Sequence, residues 1–435
     1  MGAYIPHSAK DVEEMLAVIG VSDLDALYAD IDDELKCAAP DLPPSMSESE
    51  VRRKMKELAA KNRVYPTVMR GAGAYRHYIP EIVDNVVSRP SFLTAYTPYQ
   101  AEMSQGVLQA IFEYQTYMAR ITGMEVANAS MYSGATAAAE AVMQLVRPGG
   151  KLLTSDGIRP DTMEVLKTYL SSKNIDIVVL KTENGVLEPE TLQNALTSDI
   201  SAVYVKQPAY FGGILDLEGI GAAVKAIGAK YIVGGNPLAY ALLPSPGEAG
   251  ADVAVGDAQP FGIPLSLGGA YVGYYATKKS LVRKMPGRIV GRTSDSTGRR
   301  AFVLTLQPRE QHIKRERALS NICSNQALQA LRVAVYLAAT GASGLEKVAR
   351  SCYLNAHYAA ERFERAGLKR AYPGEFFNEF VTYTPGKSAA IEEALGNEGI
   401  LSGLRLDEDR MLWCFTELNT IDEIERAAGA AEEAI

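Results

Sequence analysis

Residues 256–269 read GDAQPFGIPLSLGG and are the most informative part of this chain. The run holds four glycines and two prolines, and such clusters usually mark a loop. No lysine occurs anywhere between Tyr231 and Thr277. The absence matters because a lysine amine is the group with which enzymes form a Schiff base to an aldehyde. Two interpretations are open: a turn-rich loop of no catalytic interest, or a catalytic loop without its lysine.

The residues on either side of this loop alternate between short apolar runs and helical patterns. Apolar runs at 152–154, 177–180, 202–205 and 231–234 predict buried strands, and a fifth strand is predicted at 271–276. Helical patterns occupy 161–171, 189–196 and 217–227 between them. Strands separated by helices imply βαβ units, so a mainly parallel α/β sheet is expected.

The two ends of the chain differ from this middle part. Ser8 with Asp11 predicts a capped helix start, and polar residues around Ser47 predict another, which makes residues 1–65 a helical arm. Residues 66–320 form the predicted large α/β domain. Helices at 327–340 and 345–366, with strands at 376–383 and 411–415, predict a smaller α+β domain over 321–435.

Composition excludes several functional classes. The chain has 435 residues and a net charge of −8, which argues against a broad nucleic-acid surface. The four cysteines are scattered, and no two of the four histidines lie at ligand spacing, so no metal site is predicted. No signal peptide and no apolar run of membrane-spanning length is found, and we expect a soluble, cytoplasmic protein without membrane contact.

Three segments carry candidate site residues. Ser133-Gly134-Ala135-Thr136 opens an Ala-rich helix, and a helix start offers free N–H groups that suit a phosphate. The segment 94–106 combines hydroxyl, aromatic and acidic residues, so it is either a site wall or an ordinary surface loop. The charged run 309–317 is either a solvated face or an anion or partner contact.

Six strings occur along the chain in this order: YIPH at 4–7, GAGAYRHYIP at 71–80, TAYTPYQ at 94–100, GIPLSLGG at 262–269, REQHI at 309–313 and SNIC at 320–323. Together they resemble the glycine cleavage system P-protein, or glycine decarboxylase. The similarity is to the α, or first, subunit of its two-subunit form and runs nearly from end to end.

The resemblance implies a fold-type I PLP-dependent transferase (PLP, pyridoxal 5'-phosphate) with a mainly parallel seven-stranded sheet and a smaller α+β C-terminal domain. It implies the oxidoreductase activity of glycine dehydrogenase (aminomethyl-transferring, decarboxylating). In that reaction glycine is decarboxylated on PLP and its aminomethyl group passes to the lipoyl arm of the H-protein. It also implies a β subunit that holds PLP covalently, in an α2β2 heterotetramer.

Aligned with the lysine motif of that β subunit, this chain has Gln259 at the lysine position. A carboxamide cannot form a Schiff base. The matching strand, which ends near Asn236, also lacks the carboxylate that would pair with the pyridinium nitrogen. The chain alone is therefore expected to be inactive. The phosphate-cup-like helix start at 133–136 is retained, which suggests descent from a complete PLP site.

If the active site is shared between subunits, this chain can supply the residues that line one side of it. The candidates are Tyr96, Thr97, Tyr99, Gln100, Glu102 and Ser104. Candidates for an interface or anion contact are Arg309, His312 and Arg315, with a solvated or interface salt-bridge role preferred over catalysis.

Two other functions stay open at this point. The chain could be a non-catalytic scaffold or regulatory subunit of the same fold, in which case the partner alone would be fully active. It could also be an independent PLP enzyme that uses Lys206 or Lys278, in which case the lone chain would bind PLP covalently.

Overall fold

The computed structural model describes residues 6–37, 41–95, 98–307, 310–318, 320 and 322–435. The chain divides into two compact units, Met1–Val64 and Tyr65–Ile435. The second unit contains both the predicted α/β domain and the predicted C-terminal domain, and the limit between them at residue 320 stays a prediction.

Thirteen α-helices are found in the described residues: α1 Ala9–Ile19, α2 Glu48–Ala59, α3 Glu81–Val87, α4 Pro90–Leu93, α5 Gln105–Ile121, α6 Gly134–Leu145, α7 Pro160–Ser171, α8 Pro189–Ala195, α9 Leu217–Ala226, α10 Gln311–Lys314, α11 Ala327–Arg365, α12 Ser388–Asn397 and α13 Ile421–Glu433. Short 3₁₀ turns lie at Asp25–Tyr28, Asp33–Leu35, Ala239–Ala241, Ser266–Gly268, Lys279–Lys284 and Arg315–Arg317.

The strands in the described residues are β1 Thr67–Val68, β2 Val126–Ala127, β3 Lys151–Ser155, β4 Asp176–Leu180, β5 Ile200–Gln207, β6 Lys230–Gly235, β7 Val253–Asp257, β8 Gly273–Thr277, β9 Ile289–Ser294, β10 Arg300–Thr305, β11 Glu379–Tyr383, β12 Ile400–Leu401, β13 Leu404–Arg405 and β14 Arg410–Cys414.

The first unit is a helical arm with almost no core of its own. Ser8 caps α1 in a reciprocal capping box with Asp11, as predicted, and Ser47 caps α2 in the same way with Glu50. Of its described residues, Leu16 is the one large apolar side chain that is buried. Local capping and helix propensity thus define this unit more than packing does.

The central sheet of the second unit has seven strands in the order β2-β8-β7-β6-β5-β3-β4. The strands from β7 to β4 run parallel to one another, and β8 runs antiparallel to both β2 and β7. In register, Val233 on β6 lies opposite Val205 on β5 and Ala254 on β7. The prediction of a mainly parallel, seven-stranded sheet is confirmed.

Both faces of this sheet are covered, which explains the continuous apolar runs seen in the sequence. Val233 and its neighbours pack into one core with α5, α9 and the first half of α11. The adjacent Ile232 points to the opposite face and packs into a second core with α6 and α7. A parallel sheet buried on both sides has no polar face, so its strands do not alternate in hydrophobicity.

The C-terminal part packs α12, α13 and the second half of α11 around Trp413 and the antiparallel sheet β11-β14-β13. Two helices were predicted at 327–340 and 345–366. The structure joins them into α11, but Gly341 within it has non-helical angles, φ 65° and ψ 175°. Glycine adopts this conformation without the steric cost of a Cβ, so the predicted interruption is present as a break.

Three features of the sheet region differ from prediction. Strand β7 was not predicted, because its five residues end in Gly256 and Asp257, which sequence patterns assign to the following loop. The antiparallel hairpin of β9 and β10 was not predicted either. The predicted strand at 271–276 begins two residues later, at Gly273.

Candidate functional site: a filled pocket and a polar face

The loop of residues 256–269 leaves the carboxyl end of β7, beside the carboxyl ends of β5 and β6. Ligands of open α/β sheets bind at such ends. A cavity of about 40 Å³ lies here, lined among others by Tyr75, Arg159, Lys206, Asn236 and Asp257. Cofactor pockets measure roughly 300–1,000 Å³, whereas one water takes about 30 Å³. This cavity is therefore too small for PLP.

The predicted helix start at 133–136 forms α6, and its first turn is fully organised. Ser133 and Thr136 cap each other: the Ser133 N–H donates to Thr136 Oγ1 at 3.0 Å and the Thr136 N–H to Ser133 Oγ at 3.2 Å. The Gly134 N–H donates to Asp257 Oδ2 at 3.3 Å. A Cβ on Gly134 would lie 2.8 Å from Asp257 N, so the loop packs directly against the helix start.

Asp257 thus places a carboxylate at the position where the sequence predicted a phosphate. Its other oxygen, Oδ1, accepts the Gln259 N–H at 3.0 Å. Burial raises the pKa of Asp257 to about 6, although the N–H groups of Gly134 and Gln259 act against that rise. Sequence reasoning missed this residue, since a single Asp in a Gly-rich loop carries no distinctive pattern.

Gln259 fills the predicted lysine position and is bound on both sides of its amide. Its Oε1 accepts the Tyr75 N–H, while its Nε2 donates to the carbonyls of Tyr75 and Ile263, each at 2.8 Å. The side chain is 1% exposed. A lysine could donate here but could not accept, so the amide is matched to a structural role.

A third buried polar residue, Glu379 on β11, contacts Tyr75, which lines the pocket. It accepts the Ala72 N–H at 2.6 Å and the Tyr75 hydroxyl at 2.8 Å. Burial raises the pKa of Glu379, and the charge of Lys206 opposes that rise. Burial also lowers the pKa of Lys206 to about 8, and its amine donates to the Pro208 carbonyl at 2.8 Å.

These contacts decide whether this chain's own pocket fits PLP, and it does not. The predicted lysine position holds Gln259, the predicted phosphate position holds the Asp257 carboxylate, and the remaining space is about 40 Å³. Asn236, at the predicted acid position, directs its Oδ1 to the Leu238 N–H at 3.0 Å. The alternative lysine Lys278 is 40% exposed and pairs with Asp252 outside this pocket.

The loop at 94–106, which is predicted to line the shared site, is only partly described, because Tyr96 and Thr97 lie outside the described residues. Tyr99 donates its hydroxyl to Asn325, and the Arg288 guanidinium lies 3.9 Å above its ring centre. Gln100 and Glu102 are exposed. Ser104 precedes α5 without capping it through its side chain.

Arg288, which sequence reasoning did not select, contacts both the loop at 94–106 and the charged run at 309–317. Arg309 lies outside the described residues, and Arg315 is exposed. His312 Nδ1 lies 3.7 Å from Glu310 Oε2, and Arg288 Nε lies 3.8 Å from the same oxygen. We call Tyr99, Arg288, Glu310, His312 and Asn325 the polar face. Glu310 and Asn325 stood in or beside the quoted strings, but Arg288 had no signal.

A family model described as "Glycine cleavage system P-protein" matches residues 2–428. The chain belongs to this P-protein family. Two curated relatives carry the name "Probable glycine dehydrogenase (decarboxylating) subunit 1". The one from Anoxybacillus flavithermus is 44% identical over 433 residues, and the one from Bacillus subtilis is 45% identical over 433 residues. In both cases 97% of this chain and 97% of the relative are covered.

Among solved structures, a crystal structure of glycine decarboxylase (P-protein) of the glycine cleavage system, in inhibitor-bound form, has a TM-score of 0.93 and 38% identity. All of both chains is covered. C-DES with glycine covalently linked to its PLP cofactor has a TM-score of 0.64, and 88% of this chain and 99% of that chain are covered. At 14% identity this second likeness shows the fold alone. The P-protein chain thus has the fold-type I architecture of PLP enzymes.

One buried cluster in this P-protein chain joins residues that are distant in sequence. Glu417 Oε2 lies 2.8 Å from His77 Nδ1 and accepts the Cys352 thiol at 3.3 Å, while Oε1 accepts the Tyr78 N–H at 2.7 Å. These hydrogen bonds tie the segment after Gly71 to α11 and to the residues after β14. The prediction that the chain has no metal site stays a prediction.

No helix in the described part of the chain combines the length and the apolar composition needed to cross a lipid bilayer.

Proposed function

We propose that this chain is the α subunit of a two-subunit glycine dehydrogenase (decarboxylating) and that the β subunit holds PLP covalently. The observation that carries the proposal is the amide of Gln259, which occupies the predicted lysine position and has both its oxygen and its nitrogen hydrogen-bonded. The relatives named subunit 1 support it, because that name implies a second subunit.

In this proposal the complex is an α2β2 heterotetramer in the cytoplasm. It decarboxylates glycine and passes the aminomethyl group to the lipoyl arm of the H-protein. PLP supplies the electron sink for this chemistry. The present chain contributes a wall of the shared site and the contacts that hold the partner.

The polar face is the part of this chain best suited to that wall. Arg288 Nε and Glu310 Oε1 are buried and have no hydrogen-bond partner among the described residues. Buried polar atoms of this kind normally find a partner, so groups of the second subunit or of glycine are expected to complete them. A guanidinium held over Tyr99 suits a carboxylate, which it can bind with two parallel hydrogen bonds. Such a wall fixes the direction of the breaking bond and excludes water.

The location of the cofactor can be tested with the purified chain, alone and mixed with its β subunit. After borohydride reduction, peptide mapping locates the lysine that carried PLP. We expect the lone chain to be colourless and the label to fall on the partner alone. A label on Lys206 or Lys278 would contradict the proposal and would make this chain an independent PLP enzyme.

The wall can be tested with Glu102→Ala in the reconstituted complex. Loss of this exposed carboxylate is expected to lower kcat/KM for glycine about tenfold, which corresponds to about 1.4 kcal/mol of transition-state stabilisation. Glu398→Ala removes an equally exposed glutamate from the C-terminal part and should leave kcat/KM unchanged. The melting temperature of the lone chain should be the same for both variants.

A second variant, Tyr99→Ala, removes the ring beneath Arg288, and Tyr383→Ala is its exposed control. If Glu102→Ala and Tyr99→Ala both leave decarboxylation unchanged, the wall assignment is wrong. If in addition the β subunit alone is fully active, the chain is a scaffold or regulatory subunit.

A further inference from the structure

The start of α6 is a position where an anion is expected, and the chain fills it with its own carboxylate. The first N–H groups of a helix have no partner within the helix, and together they carry a partial positive charge. Bound phosphates are commonly found at such helix starts. Here Asp257 Oδ2 accepts the Gly134 N–H, while Oδ1 accepts the Gln259 N–H.

The groups around this carboxylate are mostly donors. The Arg159 guanidinium lies at the same cavity, where it donates to the Gly73 carbonyl at 2.9 Å and pairs with Asp161 at 2.5 Å. Asn236, which also lines the cavity and is 5% exposed, has an Nδ2 without a hydrogen-bond partner among the described residues. Two backbone N–H groups therefore bind the carboxylate, and a guanidinium and an unused amide line the same cavity.

We propose that Asp257 is the residue that excludes phosphate groups from this chain, because its carboxylate occupies the anion position at the start of α6. The excluded class comprises inorganic phosphate and phosphate monoesters, PLP among them. Two mechanisms act together: the carboxylate accepts the N–H groups that a phosphate would need, and its negative charge repels a second anion. The proposal deepens the proposed function, since it names what directs the cofactor to the partner subunit.

The test compares three full-length variants with the unaltered chain. Asp257→Ala and Asp257→Ser empty the position, whereas Asp257→Asn keeps its volume and one of its two accepting oxygens. Each protein is titrated with inorganic phosphate and with chloride at equal ionic strength. Binding is followed by the phosphorus NMR signal and by the melting temperature.

We expect phosphate to raise the melting temperature of the Ala and Ser variants by about 2 °C at ten times the dissociation constant. The unaltered chain should show no rise, and the Asn variant, which still fills the position, should show a smaller rise than the Ala and Ser variants. An Ala or Ser variant that is recovered folded in phosphate but not in chloride would support the proposal in the same way.

Three results would overturn it. They are phosphate binding by the unaltered chain, phosphate binding by the Asn variant that equals binding by the Ala and Ser variants, and no effect of phosphate on either the Ala or the Ser variant, whether folded or not. None of these results depends on the partner subunit. Failure here is therefore distinct from failure of the shared-site proposal, which is measured by glycine decarboxylation in the complex.

Discussion

Replacing Gln259 with lysine is expected to lower the free energy of unfolding by about 4 kcal/mol without producing a chain that binds PLP. The substitution restores the residue type of a PLP enzyme, but it places an ammonium group among contacts built for an amide. The Tyr75 N–H loses its acceptor. The two groups that accept from Gln259 Nε2 are carbonyls, which do not neutralise the charge of an ammonium group. Denaturant unfolding measures the loss.

Two controls separate the causes of this loss. Gln259→Met removes the same hydrogen bonds without adding charge and should cost about 2–3 kcal/mol. Gln193→Lys, at an exposed position on α8, should change stability by less than about 0.5 kcal/mol. Gln259→Lys as stable as the unaltered chain, or showing the absorbance of a Schiff base with added PLP, would contradict our reading of the pocket.

Replacing Glu379 with alanine is expected to lower the free energy of unfolding by about 3–5 kcal/mol. The Ala72 N–H and the Tyr75 hydroxyl both lose their acceptor. Lys206, which is 9% exposed, loses the carboxylate whose charge favours its protonated form. A buried charge left without a partner accounts for most of the expected loss. Chemical denaturation at neutral pH, below the pKa of about 8 of Lys206 in the unaltered chain, measures the effect.

A double substitution tests this explanation. Lys206→Met removes the buried amine, so Glu379→Ala combined with Lys206→Met should be less destabilised than the sum of the two single changes. Glu393→Ala, at an exposed position on α12, should stay within about 0.5 kcal/mol of the unaltered chain. Simple additivity of the two pocket substitutions would show that the charges of Lys206 and Glu379 do not interact.

The local parts of the fold were accessible to sequence reasoning. The capped start of α1 and the strands β3 to β6 follow from capping pairs and from apolar runs, which are signals within a few residues. The order of the strands is not local. Nothing in the composition of β8 indicates that it runs antiparallel to β7, and the seven-stranded sheet was expected from the resemblance alone.

The site was harder to predict, because its contacts join distant segments. Tyr75 and Glu379 are 304 residues apart, yet their side chains share a hydrogen bond. The absence of a lysine could be read directly from the sequence, whereas the hydrogen bonds that Gln259, Asp257 and Glu379 make in the folded chain could not. The polar face also joins distant segments: Arg288 contacts Tyr99 because β9, which follows Arg288, packs beside α5.

The filled pocket also changes how the folded chain responds to its surroundings. A protein that binds a cofactor gains stability by mass action, about 2.7 kcal/mol when the free ligand is at 100 times its dissociation constant. In this chain, Gln259 and Asp257 already make the contacts that a ligand would make. Its folded fraction should therefore be independent of cofactor supply. If the proposed function holds, scarcity of PLP acts on the complex through the partner subunit, while this chain stays folded.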